Sequence, residues 1–349
     1  MKNQIKKYIS EDIMKKLKVA VIGPGRWGTC IAWLLSSISE KVYLVGIEKE
    51  ENFEFLKRHG RNSTISLKDN VILTTNIQEA FDYASDFICI AINGQSWRKL
   101  LEDNVKLFKK YKGIIVFQSK TLEKRTGKTP SQVYKKVIGR KDNYTILVGP
   151  AHPVSLVKGE ISDMVISGTN RKVVEEVAKK YRHKLFKIRI NYDLIGVELC
   201  CALKNVIGIM SGIIFGLKKE WLLKSLVVRA IAEVMRLVSF YGGDPLTVTG
   251  VTFLGDLFVT AIFPECEASN NFKYGKWFVT GEGWNIEKVA EGVPTLESLH
   301  VLTDGFTKVE MPLHQALFEL FKTGNGNIEK ELKRLFDRPL KEEFWGIKI

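Results

Sequence analysis

Lys18-Val19-Ala20-Val21-Ile22-Gly23-Pro24-Gly25-Arg26-Trp27-Gly28-Thr29 is the stretch that decides the fold of this chain. Lys18 to Ile22 reads as a short apolar strand, and Thr29 to about Ser37 as a helix. Val42 to Ile47 follows as a second strand. The three elements form one βαβ unit, which requires parallel strands. The glycine spacing is a weak signal by itself. It gains weight because a strand precedes it and a helix follows it. Gly23 permits the tight turn, Gly25 lets backbone N–H groups approach a pyrophosphate, and Gly28 lets the helix pack against the strand. The helix N-terminus adds partial positive charge that suits a phosphate.

Glu48 lies twenty residues after Gly28, at the end of the second strand. A carboxylate there accepts hydrogen bonds from ribose hydroxyls and repels a 2′-phosphate. Ile47 beside it offers no base. NAD rather than NADP is therefore the expected cofactor, with Gly23, Gly25, Arg26, Trp27, Gly28 and Glu48 as its candidate ligands.

Working outward, further short apolar runs appear at Val71–Leu73, Phe87–Ile92, Gly113–Gln118, Thr145–Gly149 and Met164–Ser167. Helix-compatible polar stretches separate most of them, which predicts a Rossmann-type doubly wound α/β sheet. Near Asn191 the pattern changes to helical periodicity. Asp193–Gly216 reads as one buried helix and Leu222–Tyr241 as a second, broken by Gly242-Gly243-Asp244-Pro245. From Asn327 the chain is charged and helical, with a tail at Phe344–Ile349. The expected organisation is an N-terminal extension over 1–16, a nucleotide-binding domain over 17–190 and an all-α substrate domain over 191–349.

The formal net charge of +14 favours anionic partners without naming one. No arginine-rich or aromatic-interleaved motif accompanies it, so nucleic-acid binding is not expected. Five cysteines, Cys30, Cys89, Cys200, Cys201 and Cys266, include no CxxC pair, which fits reduced thiols in a cytoplasmic protein. The five histidines show no ligand spacing, so no metal is expected. The first sixteen residues are too polar for a signal peptide. The longest apolar run, Val206–Leu217, is too short to span a bilayer and contains three glycines.

One residue stands out on physical grounds. Lys204 sits between Ala202, Leu203, Val206 and Ile207 in an otherwise apolar helix. A buried lysine requires a partner or a purpose, and burial lowers its pKa toward a useful range for proton transfer. Lys120 follows the Gly113–Gln118 strand, at the sheet edge where ligands bind in this architecture.

Gly196-Val197-Glu198-Leu199-Cys200-Cys201-Ala202-Leu203-Lys204-Asn205 and Val251-Thr252-Phe253-Leu254-Gly255-Asp256-Leu257-Phe258-Val259-Thr260 resemble hallmarks of the NAD(P)-dependent glycerol-3-phosphate dehydrogenases. So do Gly25-Arg26-Trp27-Gly28-Thr29, Gln118-Ser119-Lys120-Thr121-Leu122, Gly149-Pro150 with His152, and Val289-Ala290-Glu291-Gly292-Val293. These landmarks come in the family's order over about residues 18–325. The resemblance implies hydride transfer between NADH and a small phosphorylated ketone, and a homodimer. It gives Lys204 the role of proton donor and Lys120 that of orienting the substrate. It implies that Asn205 and Thr260 are hydrogen-bonding partners, that Asp256 holds Lys204 or its neighbours, and that Lys120 and Glu291 lie at the cofactor.

The sequence also departs from the family. Thr121 replaces a glycine, Ile92-Asn93 replace a Pro-Ser pair, and Ala151 replaces a serine. At Ser269-Asn270-Asn271 the family has Ser-Arg-Asn, whose arginine and asparagine bind the substrate phosphate. Asn270 and Asn271 remain as neutral donors, and Lys273 is the candidate to restore the charge. Three readings stay open: the family's own substrate, a different hydroxylated substrate, and a regulatory protein that binds NAD without catalysis. Two retained lysines speak against the last.

Overall fold

The computed structural model describes residues 16–124, 126–262, 265–283, 290–324, 328–339, 341–342 and 345–347. The expected extension lies outside the described residues apart from Lys16, as do Val289 of the late motif and Phe344, Lys348 and Ile349 of the tail.

Eight strands form one sheet: β1 (Leu17–Ile22), β2 (Ser39–Val45), β3 (Val71–Thr74), β4 (Phe87–Ile90), β5 (Ile114–Phe117), β6 (Tyr144–Val148), β7 (Ser162–Ser167) and β8 (Phe186–Ile190). Their order is β3-β2-β1-β4-β5-β6-β7-β8. Alternate residues of the inner strands enter cores on opposite faces. Val19, Val21, Cys89 and Val116 pack on one face, and Ala20, Ile22, Ile90 and Phe117 on the other. Burial on both faces is why these strands read as continuous apolar runs rather than alternating ones.

Two features correct the expectation. The sheet is not wholly parallel, because β7 runs antiparallel to β6. The β6–β7 connection carries only the five-residue helix Pro153–Val157, not a full crossover helix. And β8, which the sequence reading missed, pairs in parallel with β7. It is an edge strand whose apolar Phe186, Ile188 and Ile190 alternate with Lys187 and Arg189, a pattern diluted by exposure.

The second part of the chain is helical, as expected. The helix Leu194–Gly216 is buried nearly all round. Asp193 caps it through Gly196 N (3.0 Å) and also accepts from Asp244 N and Thr247 Oγ1, which ties down the Gly242–Pro245 turn. This helix is long and apolar enough to cross a membrane by composition, a longer element than the Val206–Leu217 run, yet 89% of its most apolar window is buried inside the protein. Its glycines have a packing role. A Cβ on Gly212 would fall 2.0 Å from Phe272 O, and one on Gly275 would fall 2.0 Å from Ile209 O. The helices Leu194–Gly216 and Asn270–Thr280 therefore touch backbone to backbone.

Glu198, on the same helix, binds the two parts of the chain together. Its carboxylate accepts from Ser131 N (2.8 Å), Ser131 Oγ (2.7 Å) and Tyr144 OH (2.8 Å). Burial raises its pKa, and these donors oppose the shift. Lys204 and Glu198 carry the same sequence signal, a charge on an apolar helix.

Candidate active site

The site forms where β1, β4, β5 and β6 end. Gly23 has φ of +111°, and a Cβ on it would meet Ala91 O at 2.5 Å, so the turn after β1 requires glycine. Gly25 caps the helix Arg26–Leu35, and a Cβ there would meet nothing within 4 Å. Gly28 packs on the turn rather than on the strand, since its Cβ would lie 1.8 Å from Gly23 O. The loop thus opens an unobstructed cradle beside a helix N-terminus, which fits a dinucleotide pyrophosphate.

A cavity of about 490 Å³ begins at this loop, lined by Gly25, Arg26, Trp27, Gln118, Lys120 and Glu291 among others. Its size suits a small-molecule site, typically about 300–1,000 Å³. Trp27 is pinned from below: its indole N–H donates to Gln118 Oε1 (2.7 Å), and Gln118 Nε2 donates to the buried Tyr181 OH (2.8 Å). A glutamine at a buried strand end is the sequence signal for this support.

A second cavity of about 300 Å³ adjoins the first and shares Arg26, Lys120, Ala151, His152 and Glu291 with it. Lys204, Asn205, Asp256, Thr260, Asn270 and Asn271 line it. A π-helical turn, Val251–Gly255, leads directly into the helix Asp256–Ala261 that carries Asp256 and Thr260. Lys204 Nζ lies 2.5 Å from Asp256 Oδ1 and donates to Thr260 Oγ1 at 3.0 Å. Lys120 Nζ donates to Asp256 Oδ2 (2.7 Å) and to Gly149 O (2.7 Å). One buried carboxylate therefore holds two ammonium groups, one from each part of the chain. A hydrogen-bond chain continues beside them. Asn205 Nδ2 donates to Lys120 O (3.2 Å), Asn271 Nδ2 to Asn205 Oδ1 (3.0 Å), and Gly292 N to Asn271 Oδ1 (2.8 Å).

Burial brings the Lys204 pKa down to about 8, against the pull of Asp256 and with the repulsion of Lys120. For Asp256 burial opposes ionisation, but the two lysines outweigh it and hold its carboxyl below the ordinary carboxylate range. Glu291 lines both cavities and is exposed to them, and desolvation by the surrounding walls raises its pKa while both lysines oppose the rise. His152 is shifted down by burial and by Arg26 and Lys120.

Glu48 and Lys273, both expected ligands, do not line these two cavities. Glu48 is exposed in the turn after β2 and lines neither cavity. Lys273 lines a separate cavity of about 440 Å³ with Glu267, Lys276 and Glu282, so it does not restore charge beside Asn270. The cysteines are all free and buried, and burial pushes Cys30 and Cys89 up to about 12, consistent with inert core thiols. Among the described residues no cluster could hold a metal ion.

Residues 18–174 match the model for the N-terminus of NAD-dependent glycerol-3-phosphate dehydrogenase, and residues 193–330 match that for its C-terminus. A glycerol-3-phosphate dehydrogenase (NAD(P)+) of Carboxydothermus hydrogenoformans is 32% identical over 324 residues, 89% of this chain and 94% of its own. The chain belongs to the NAD-dependent glycerol-3-phosphate dehydrogenase family. A relative of the same name from Bacillus anthracis is 29% identical over 95% of this chain and 98% of its own. The crystal structure of the Coxiella burnetii glycerol-3-phosphate dehydrogenase superposes with a TM-score of 0.82 at 23% identity, covering 93% of this chain and 99% of that one. That of Saccharomyces cerevisiae gives 0.75 at 20% identity, covering 93% and 100%.

One departure from the family pattern has a local explanation. Thr121 stands where a glycine was expected, and its Cγ2 occupies the space a Cβ on Gly94 would need, 1.7 Å away. Its hydroxyl pairs with Thr295 Oγ1 at 3.0 Å. Gly94 thus makes room for the side chain that Thr121 adds.

Proposed function

We propose that the chain catalyses the reversible reduction of dihydroxyacetone phosphate to sn-glycerol 3-phosphate with NADH. The observation that carries this reading is the buried Lys120–Asp256–Lys204 bridge where the glycine-loop cavity meets the second one. Bound NADH supplies the hydride. Lys204 polarises the carbonyl and delivers the proton to the oxygen as the ketone becomes an alcohol, leaving a neutral amine that is reprotonated from solvent. Asp256 keeps Lys204 charged and in place, with Thr260 as the third point of support. Lys120 adds charge beside the reacting carbonyl, and Asn205 and Asn271 hold the strand end that carries it. Gly23, Gly25, Trp27 and Gly28 would hold the cofactor, with Glu291 beside them.

We assign the cofactor to 17–190 and the reacting groups chiefly to 191–349. The five free thiols support a reducing, cytoplasmic setting. The homodimer is carried forward from the family resemblance.

A second reading keeps the hydride chemistry and changes the substrate. Asn270 favours it, being a neutral donor at the place of the family's arginine. NADH oxidation measured against a panel of phosphorylated and unphosphorylated ketones separates the two. Dihydroxyacetone phosphate should give the highest kcat/KM, and a larger or uncharged ketone in first place would sink the leading reading.

NADH should bind at least about tenfold more tightly than NADPH, because Glu48 and Ile47 present an acid and no base at the end of β2. Fluorescence titration gives both dissociation constants, and Glu48→Ala with Ile47→Arg should move the preference toward NADPH. An NADPH preference in the unmodified protein would remove Glu48 from the cofactor site.

A further inference from the structure

We propose that Arg26, from the nucleotide loop, supplies the guanidinium that holds the substrate's phosphate. This rests on the reduction of a phosphorylated ketone proposed above and assigns its anion recognition to one residue. Arg26 opens the helix Arg26–Leu35, is exposed, and lines the cavity that contains Lys204 as well as the one at the glycine loop. No carboxylate among the described residues pairs with it, whereas Lys120 and Lys204 are both bound to Asp256.

In the smaller cavity the two lysines face two carboxylates, Asp256 and Glu291. His152 is shifted toward its neutral form. Lys120 and Lys204 are both committed to Asp256, so without Arg26 a phosphate monoester entering the cavity would lose hydration with no unpaired cation in this lining to receive it. Arg26 provides that cation. Its fork of donors also matches phosphate oxygens, which a single ammonium does not.

The other candidates fall short. Both ends of the Asn271 amide are taken by Asn205 and Gly292 N. Asn270 is neutral. Lys273 faces a different cavity. A cofactor pyrophosphate at the glycine loop already has backbone N–H groups and a helix N-terminus to receive it, which leaves the Arg26 side chain for the neighbouring substrate.

Steady-state kinetics of the full chain, as wild type, Arg26→Ala and Arg26→Lys, test the assignment with dihydroxyacetone phosphate and dihydroxyacetone as alternative substrates. Arg26→Ala should raise KM for the phosphorylated ketone by about twenty- to hundredfold, and the preference for it over dihydroxyacetone should fall by a similar factor. Arg26→Lys should recover part of the loss. NADH affinity, read separately by fluorescence, should stay within about threefold. An unchanged KM overturns the proposal, and so does a loss of NADH affinity as large as the loss in KM, the signature of a pyrophosphate contact. If the wild type binds NADH but does not turn over dihydroxyacetone phosphate, the proposed reduction fails. Calorimetric titration of sn-glycerol 3-phosphate into wild type and Arg26→Ala then judges Arg26 by itself, equal affinities or no binding overturning it.

Discussion

Lys204→Ala is expected to lower ketone reduction by about 10²–10⁴ while leaving NADH affinity within about threefold. Lys204 belongs to the helical part of the chain and does not line the cavity at the glycine loop. Its pKa near 8 adds a pH signature. The protonated form is the donor, so the reduction rate should be level below pH 8 and fall as the pH rises through it. Alcohol oxidation needs the neutral amine and should rise through the same range. A variant that retains more than about a tenth of the wild-type rate would make Lys204 structural. An inflection near pH 8 that survives in the residual activity would belong to another group.

Asp256→Asn should be the most damaging single change to stability in the site. The carboxylate is almost wholly buried and contacts both ammonium groups, of which Lys204 is itself nearly inaccessible. An amide there leaves two cations facing each other, and breaking a buried pair in this way costs about 3–5 kcal/mol. Lys120 is partly open to solvent, so the lower end of that range is expected. Without Asp256 the Lys204 pKa falls further, and the alkaline limb of the reduction profile should move to lower pH. Denaturant unfolding of Asp256→Asn, and of the same change combined with Lys204→Met, measures the coupling. Removing one stranded cation should restore part of the lost stability. A double variant as unstable as the sum of the two single changes would mean that the bridge contributes nothing as a bridge.

Much of this was legible in the chain because different levels of description agreed. The glycine turn between a strand and a helix set the sheet and the position of its ligand edge. Lys204 was legible as a charge where periodicity demanded apolar residues. What stayed hidden depended on geometry that one-dimensional spacing does not carry. β8 alternates apolar and basic residues at an exposed edge, so its signal resembled a loop. The reversal of β7 depends on the short β6–β7 connection. Lys273 follows Asn271 by two residues, but on a helix that separation is about 200° of rotation, which carries it to the opposite side. Arg26 was read from its motif as a cofactor residue. That its side chain also lines the cavity of Lys204 follows from how the sheet edge meets the helical part, which the motif alone does not contain.

The glycine contact between the helices Leu194–Gly216 and Asn270–Thr280 has a consequence for selectivity. Lys204 and Asn205 stand on one of these helices, Asn270 and Asn271 on the other. With Gly212 against Phe272 O and Gly275 against Ile209 O, the two axes are already as close as backbones allow, and packed interiors yield little to strain. The contact works as a fixed ruler between Lys204, the proposed proton donor, and the far wall of the pocket. A bulkier side chain at Gly212 would lengthen the ruler and detune the gap for every substrate at once. On the proposed reaction, a ketone one carbon longer or shorter would meet a gauge that cannot be reset, so molecular length would be judged by the fold itself.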